Sequence, residues 1–389
     1  MSRHLKFTPA NYDPDKSKGC RTLRTIIQRA TSRAVDRSHL RNRVGSANII
    51  IVGAGGAGNN TIDRLMRVDV KGAKCVAVNT DQQHLDFTNA HQKILIGRTL
   101  TRGLGAGGMP EVGRDAAEES RDELDEALRG ADLVFVTCGE GGGTGTGSAP
   151  VIAEIAKLNG ALVVGVVTTP FSVEKGRTLK AQLGLKELQK FADTLIVIEN
   201  DKLLEIVPDL PIEEAFSVAD EVLSTMVKGI TETISLPSLI NLDYADVRSI
   251  LSTGGVAVVG IGESDSRVDR VGEAIRDALD SPLLHFDING ARGALIHVTG
   301  GHDMTLQEAS DVANRITQHM HPESTVIWGA RVDPEMNGYL RVMMLITGIT
   351  SPQVFGPSSE LEDNHHAENR SDATRVRLSD PAFNLTGTG

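Results

Sequence analysis

The chain has 389 residues, with 40 glycines, 9 phenylalanines, 3 tyrosines and 1 tryptophan, and a formal net charge of −11 at pH 7. This length is enough for two domains, and many glycines with few aromatic residues favour an α/β protein over an all-β sandwich. The acidic balance disfavours general nucleic-acid binding, and no apolar run approaches the roughly 18 residues of a membrane-spanning helix. We therefore expect a soluble cytoplasmic protein that has no nucleic-acid partner.

The first 46 residues differ in charge from the rest of the chain. They contain eleven Lys or Arg and three Asp, a net charge of +8, which leaves −19 for the remainder. Apolar residues recur within them at helical spacing, which indicates a basic amphipathic helix: Leu23, Ile26, Ile27, Ala30 and Ala34. Three interpretations stay open, namely a solvated or locally docked extension, a contact with an anionic membrane surface or a partner, and a cleaved transit peptide.

A strand, a glycine-rich turn and a helix open the next part of the chain. Residues 48–52 form a short apolar run, and residues 53–60, the first glycine loop, precede a helical pattern. This loop matches the G-x-G-x-x-G dinucleotide fingerprint, and Asp81 follows the next predicted strand, where a dehydrogenase carries an acid for the ribose. These residues alone leave binding of NAD open.

Two further glycine-rich loops follow predicted strands. Residues 103–110, the second glycine loop, lie before a helix predicted at 111–129, and residues 139–148, the signature loop, lie between a strand at 131–138 and a helix at 149–159. Glycines let several backbone N–H groups approach a phosphate, and the following helix N-terminus favours the same anion. The signature loop has no Lys after its last Gly, so it is not a Walker A loop. Three such loops at the carboxyl edge of one sheet favour a triphosphate.

Two sets of polar residues lie farther along the chain. Phe216 and Asp220 are four residues apart on a helix predicted at 212–234, so they share one face. A ring beneath a base and a carboxylate that accepts from guanine N1–H would select guanine. A lone Phe/Asp pair at this spacing is more often core packing with a helix cap, but beside the glycine loops the pair favours recognition of guanine. Asn241, Asp243 and Asp246 precede or open another predicted helix, and taken alone they indicate only an N-cap with acidic residues in the first turn.

The motif G-G-G-T-G-T-G-S at 141–148, together with N-L-D-Y-A-D at 241–246 and V-I-W-G-A-R at 326–331, resembles the FtsZ family of tubulin-like GTPases, most of all its archaeal members. The resemblance spans roughly 47–350. It implies a tubulin/FtsZ-like α/β fold: a Rossmann-like parallel-sheet GTP-binding domain at 47–211, a central helix at 212–235 and a smaller α+β domain at 236–350. The basic extension at 1–46 and a disordered tail at 351–389 would flank these domains.

The resemblance also implies the roles of individual residues. It places GTP or GDP, with Mg²⁺ of unknown protein ligands, against a set of cofactor-binding residues: Gly55, Gly56, Ala57, Gly58, Asn59, Asn79, Asp81, Ala106, Gly107, Gly108, Gly141, Gly142, Gly143, Thr144, Gly145, Thr146, Pro170, Glu174, Arg177, Phe216 and Asp220. Many members have one more residue between the positions of Glu174 and Arg177. Asn241, Asp243 and Asp246 would complete the active site of a neighbouring subunit.

By the same resemblance, the protein polymerises head to tail into the mid-cell division ring and hydrolyses GTP at shared sites. The apolar residues 381–385 in the tail are a candidate docking peptide for division or membrane-tethering proteins. An NAD-dependent oxidoreductase built on the first glycine loop, and an FtsZ-like scaffold that binds GTP with little turnover, are the alternatives.

Overall fold

The structure is a computed structural model that describes residues 47–202, 212–235, 240, 243–252, 254–280, 291–318, 320, 321 and 323–349, apart from the side chains of 212–216 and 219. The predictions for the basic extension, the tail, Asn241 and the ring of Phe216 therefore lie outside the described residues. Among the described residues, no helix has the length and apolar character needed to cross a membrane.

Strands and helices alternate in the first part of the described chain. In chain order they are β1 (Ile49–Ala54), α1 (Gly55–Arg67), β2 (Ala73–Asn79), α2 (Gln82–Phe87), β3 (Gln92–Leu95), α3 (Arg98–Thr101), α4 (Pro110–Glu119), α5 (Arg121–Leu128), β4 (Leu133–Gly139), α6 (Thr144–Leu158), β5 (Leu162–Thr169), α7 (Lys175–Gln189) and β6 (Thr194–Glu199). A short 3₁₀ helix, Ser172–Glu174, precedes α7.

A long helix joins this part to the second part. The remaining elements are α8 (Ile212–Ser235), α9 (Tyr244–Leu251), β7 (Val256–Ser264), α10 (Arg270–Leu279), β8 (Gly293–Gly300), α11 (Leu306–Thr317), β9 (Thr325–Val332) and β10 (Leu340–Ile349).

The described strands form one sheet of ten strands, in the order β3-β2-β1-β4-β5-β6-β7-β10-β8-β9. Pairing is parallel from β3 through to β7, whereas β10 runs antiparallel to both of its neighbours. Because parallel strands end at the same edge, the loops that follow β1, β2, β4, β5 and β6 converge there. This convergence sets the position of the candidate site.

The apolar strands are buried on both faces, as expected for a parallel sheet covered by helices. In β1, Ile49 and Ile51 pack in the layer that contains α1, α8 and α9, whereas Ile50 and Val52 pack in the layer that contains α4 to α7. The first of these layers continues into the second part of the chain through residues such as Leu295. The two parts of the chain are therefore joined by a continuous sheet and a continuous apolar layer.

Two predicted helices have different bounds in the structure. The single helix predicted at 111–129 is wrong, because Ser120 leaves helical geometry between α4 and α5 and its Oγ accepts a hydrogen bond from Gly97 N–H at 3.1 Å. The helix predicted to start at residue 149 begins instead at Thr144. Its first turn packs tightly on α4, since a Cβ on Gly147 would lie 2.0 Å from Pro110 O. Half of the signature loop is therefore helical, and Pro150 lies inside the helix.

Candidate nucleotide-binding site

A cleft of about 460 Å³ lies at the carboxyl edge of the parallel strands. Six of the predicted site residues line it: Gly56, Ala57, Pro170, Glu174, Arg177 and Asp220. Eight further residues line it. Three belong to the predicted glycine loops, namely Asn60, Gly139 and Glu140, and five lie outside those loops: His84, Thr168, Thr169, Asn200 and Ser217. The cleft thus joins the first glycine loop, the signature loop, the end of β5 and the helices α7 and α8.

The three glycine loops lie against one another with their backbones in close approach. A Cβ on Gly55, which has φ +71°, would lie 2.7 Å from Gly145 N, so the first glycine loop and the signature loop meet there. A Cβ on Gly143 would lie 2.8 Å from Met109 N and 3.0 Å from the Cβ of Ala106, where the second glycine loop approaches. Larger residues would separate these loops. The contacts therefore build one continuous backbone surface.

Within this surface, α6 offers backbone donors to an anion. Its N-terminus has no side-chain cap, so its first-turn N–H groups lack the partner that a capping residue supplies. Gly141 N–H donates to Thr146 Oγ1 at 2.8 Å, and the hydroxyls of Thr80 and Thr144 lie 2.6 Å apart. These bonds fix the loop around the helix start, which is a geometry that suits a phosphate group.

Three predicted binding residues have their side chains engaged inside the protein. Asn59 is fully buried, and in the amide orientation that satisfies both ends it donates to Gly53 O and accepts from Asn79 Nδ2, each at 2.9 Å. Asn79 Oδ1 also accepts from Thr80 N–H at 2.9 Å. Asp81 caps α2 by accepting from His84 N–H at 3.0 Å, and it is not among the cleft-lining residues. These residues hold the first glycine loop and β2 in place.

Glu174 and Arg177 lie together beside the signature loop. Arg177 Nη1 donates to Glu174 Oε2 at 2.6 Å, and its Nε donates to Gly141 O at 3.4 Å. One turn along α7, Lys180 Nζ donates to Gly108 O at 2.6 Å in the second glycine loop. Lys180 was not among the predicted site residues, although its spacing of three residues from Arg177 places it on the same helix face. Arg177 thus contacts the signature loop, which has no Walker A lysine, and Lys180 contacts the second glycine loop.

At the other side of the cleft, Asp220 on α8 faces α1. Burial raises the pKa of the Asp220 carboxyl to about 6, an effect that the nearby Arg64 and a hydrogen bond from Asn60 partly offset. Asn60 and Asp220 also line an adjoining cavity of about 370 Å³, beside the ion pair between Arg64 and Glu221. A half-desolvated carboxylate with an amide neighbour suits recognition of a planar base edge.

The acidic residues Asp243 and Asp246 do not lie in this cleft. Both are exposed; Asp243 occupies the N-cap position of α9 without a side-chain capping bond, and Asp246 lies in the first turn. Tyr244 Oη donates to Asp132 O at 2.5 Å, directly before β4, whereas the signature loop starts where β4 ends. The seven residues of β4 span roughly 23 Å at about 3.3 Å each. The two acids thus lie at the opposite edge of the sheet.

Comparisons with known proteins agree with this architecture. The GTPase domain of the tubulin/FtsZ family matches residues 48–208, and the C-terminal domain of the FtsZ family matches residues 255–350. The chain is 57% identical over 346 residues to cell division protein FtsZ 2 of Methanocaldococcus jannaschii, covering 87% of this chain and 91% of that protein. It is 58% identical over 306 residues to cell division protein FtsZ 1 of Pyrococcus furiosus, covering 78% and 82%.

A solved structure described as an empty FtsZ dimer from M. jannaschii superimposes with a TM-score of 0.76 at 50% identity, covering 85% of this chain and 92% of that one. The predicted fold class is confirmed, and the NAD-dependent oxidoreductase is wrong, because the GTPase model spans the same residues as the dinucleotide fingerprint. The chain belongs to the FtsZ family of cell-division proteins, and its N-terminal part is a GTPase domain of the tubulin/FtsZ type.

Proposed function

We propose that the protein polymerises head to tail into division-ring filaments and hydrolyses GTP at sites shared between adjacent subunits. The observation that carries this proposal is the separation of the cleft from Asp243 and Asp246 by roughly 23 Å across the sheet. Within one subunit the acids are too far away to act on a bound γ-phosphate. Stacking the opposite edges of two subunits would bring them together, and such a heterologous contact extends into a filament.

GTP would bind in the cleft with its phosphates on the signature loop and the start of α6. The uncapped N–H groups of α6, together with Arg177 and Lys180, supply the positive potential that a triphosphate needs. Glu174, which pairs with Arg177, would contact the ribose. Asp220, aided by Asn60, would accept from guanine N1–H and the exocyclic amine, whereas adenine presents an acceptor at N1.

The carboxylates of Asp243 and Asp246 would orient and polarise the water that attacks the γ-phosphate of the next subunit. Phosphoryl transfer depends mainly on positioning and charge stabilisation, so an exposed carboxylate that becomes enclosed at the subunit contact is suited to this role. Asn241 would stand beside them. Both acids are present, which favours turnover over an FtsZ-like scaffold that only binds GTP.

When bound with the triphosphate, Mg²⁺ would neutralise part of its negative charge. Among the described residues, no group of three His, Cys, Asp or Glu side chains forms a metal site. We therefore assign no protein ligand to the ion.

The wider organisation of the protein follows the same proposal. Residues 47–211 would bind GTP, the helix at 212–235 would connect the two halves, and residues 236–350 would supply the acids and the polymer contact. The filament would assemble in the cytoplasm at mid-cell. Residues 381–385 of the tail would dock division or membrane-tethering partners. Contact with the membrane would be made either indirectly through such partners or through the basic extension at 1–46.

Concentration dependence tests the shared site. GTPase activity per subunit should rise steeply with protein concentration and then level off, whereas a flat specific activity across the polymerisation threshold would contradict the proposal. Sedimentation with GTP and with GDP, read together with phosphate release, separates a turning-over filament from a scaffold: the latter would sediment with GTP and release almost no phosphate.

Complementation gives a sharper test. Asp246→Ala would keep an intact cleft, and Asp220→Asn would keep intact acids, so each variant alone should be impaired. When the two variants are mixed in equal amounts, some contacts join the intact acids of an Asp220→Asn subunit to the intact cleft of an Asp246→Ala subunit. Activity of the mixture should exceed the average of the two variants. A mixture that only averages them would place both residues in one subunit's site.

A further inference from the structure

Glu140 is a buried carboxyl group inside the signature loop that the proposed mechanism does not use. Its side chain lines the cleft, yet only 2% of the residue is exposed to solvent. Carboxyl groups this deeply buried are rare unless they are paired, because desolvation disfavours the charged form. Its position directly before the glycines that cradle the phosphate therefore needs an explanation.

The surroundings of Glu140 contain little that would stabilise a charge. From β4, the Cys138 thiol donates weakly to Oε1 at 3.5 Å, while Oε2 has no partner in hydrogen-bonding geometry among the described residues. From α6, the Thr146 hydroxyl lies near enough to favour the ionised form. From α7, the carboxyl meets Gly184, where a Cβ would lie 2.3 Å from Oε2.

The nearby cations are engaged elsewhere. Arg177 is directed to Glu174 and Gly141 O, and Lys180 to Gly108 O. Burial accordingly raises the pKa of Glu140 to about 7, with Thr146 and Cys138 offsetting part of the rise. Within the described part of the chain, no lysine or arginine compensates the charge of the carboxylate.

Thr146 connects Glu140 to the phosphate-binding backbone. Its Oγ1 already accepts the N–H of Gly141 at 2.8 Å, so its hydroxyl proton is available to the neighbouring carboxylate. Gly141 has φ +88° and packs against the backbone of Arg177, with a hypothetical Cβ only 2.7 Å from Arg177 O. A change in the charge of Glu140 thus acts on the loop that would hold the phosphates, both through space and through Thr146.

We propose that Glu140 is a proton-linked positioning residue of the nucleotide site: in its neutral form it permits phosphate to occupy the signature loop, and in its ionised form it opposes occupation. This inference rests on the proposed binding of GTP in the cleft. Because nucleotide phosphates are anions, their binding disfavours the carboxylate, and the protein takes up a proton at any pH where free Glu140 is ionised. Affinity for nucleotide therefore falls as pH rises above about 7.

The test compares wild type with Glu140→Gln, which resembles the protonated form, by titration calorimetry with GDP between pH 6.5 and 8.5. The phosphates of GDP titrate in both proteins, so only the difference between them reports on Glu140. The wild-type Kd should rise more steeply than that of the variant, by at most about tenfold per pH unit, the limit for one proton. Titrations in two buffers of different ionisation enthalpy measure the protons taken up on binding. Wild type should take up as much as one proton more per bound GDP than Glu140→Gln.

Two further variants complete the design. Glu140→Met is a second neutral replacement, used if the amide disturbs folding as judged by circular dichroism, and Glu187→Gln removes an exposed acid of α7 as a matched control that should behave like wild type. Equal pH dependence and equal proton uptake in wild type and the Glu140 variants would overturn the inference. Absence of wild-type binding at every pH would overturn the proposed nucleotide site as well.

Discussion

The two edges of the parallel sheet present opposite kinds of acidic residue. At the cleft edge, Glu140 is buried and Asp220 is half-buried, and desolvation raises the pKa of both carboxyl groups. At the other edge, Asp243 and Asp246 open α9 in full contact with solvent. In the proposed shared site, one subunit would thus hold a preorganised binding half and an unfinished hydrolytic half. The desolvation that would make the two acids effective has to come from outside the subunit.

The largest predicted effect is on GTP hydrolysis and comes from the exposed acids at the edge opposite the cleft. Asp246→Ala should lower the rate of GTP hydrolysis by about 10²- to 10³-fold, the loss typical of one group that stabilises a transition state, while nucleotide affinity stays unchanged. Phosphate release and a nucleotide-binding titration on the same preparation measure the two quantities. Asp122→Ala is the matched control, because Asp122 is an exposed acid in the first turn of α5. If Asp246→Ala loses nucleotide binding, the two edges of the sheet are not functionally separate.

Burial of the Glu140 carboxyl at the cleft edge should make the free energy of unfolding depend on pH. The folded-state pKa of Glu140, about 7, lies above the ordinary value of 4.5, so its contribution is fully favourable below pH 4.5 and is lost as pH rises to 7. In the nucleotide-free protein this loss amounts to roughly 3 kcal/mol of unfolding free energy. Urea unfolding at pH 5 and pH 7.5 should show that Glu140→Gln depends less on pH than wild type. Parallel curves for the two proteins would mean that the carboxyl is hydrated rather than buried.

Selectivity for guanine over adenine should depend on Asp220 and not on the adjacent Glu221. Asp220→Asn replaces an acceptor with a donor facing guanine N1–H, which should weaken GTP binding by about ten- to a hundredfold and narrow the preference over ATP. Glu221→Gln is the control, because Glu221 pairs with Arg64 in the adjoining cavity. Competition binding with GTP and ATP measures both effects. Equal losses in the two variants would indicate a general change of charge rather than recognition of the base.

The fold was predictable where its signals are local in the chain. Each glycine loop follows an apolar strand and precedes a helix, and the parallel order of the strands then brings the loops to one edge. The break at Ser120 was missed because it depends on a contact with Gly97, which is distant in sequence. The helical start of α6 was missed for a similar reason, since Gly147 forms a helix where α4 packs against it.

The candidate site was predictable to a similar degree. Family motifs supplied the loops and Asp220, whereas Asn200 and His84 reach the cleft, and Lys180 reaches the second glycine loop, only through tertiary packing. Glu140 shows the limit most clearly. Its neighbours in sequence are glycines, which are compatible with an exposed loop, and its burial depends on the close approach of Gly184 from another helix.

The smallest predicted effect tests the close packing of Gly184 against Glu140. Gly184→Ala would place a Cβ 2.3 Å from Glu140 Oε2 and 2.4 Å from Thr146 Cγ2, so α7 or the signature loop has to shift. Overpacking of this kind costs about 1–3 kcal/mol. Gly176→Ala on the same helix meets nothing within 4 Å and should stabilise the protein slightly, by up to about 0.5 kcal/mol, because Gly176 lies in the first turn of α7, where the gain from helix propensity is smaller than in a helix interior. Urea unfolding of the two variants measures the contrast. Because the two substitutions are chemically identical, opposite signs would assign the difference to packing against Glu140, whereas equal gains would show that α7 does not hold the carboxyl in place.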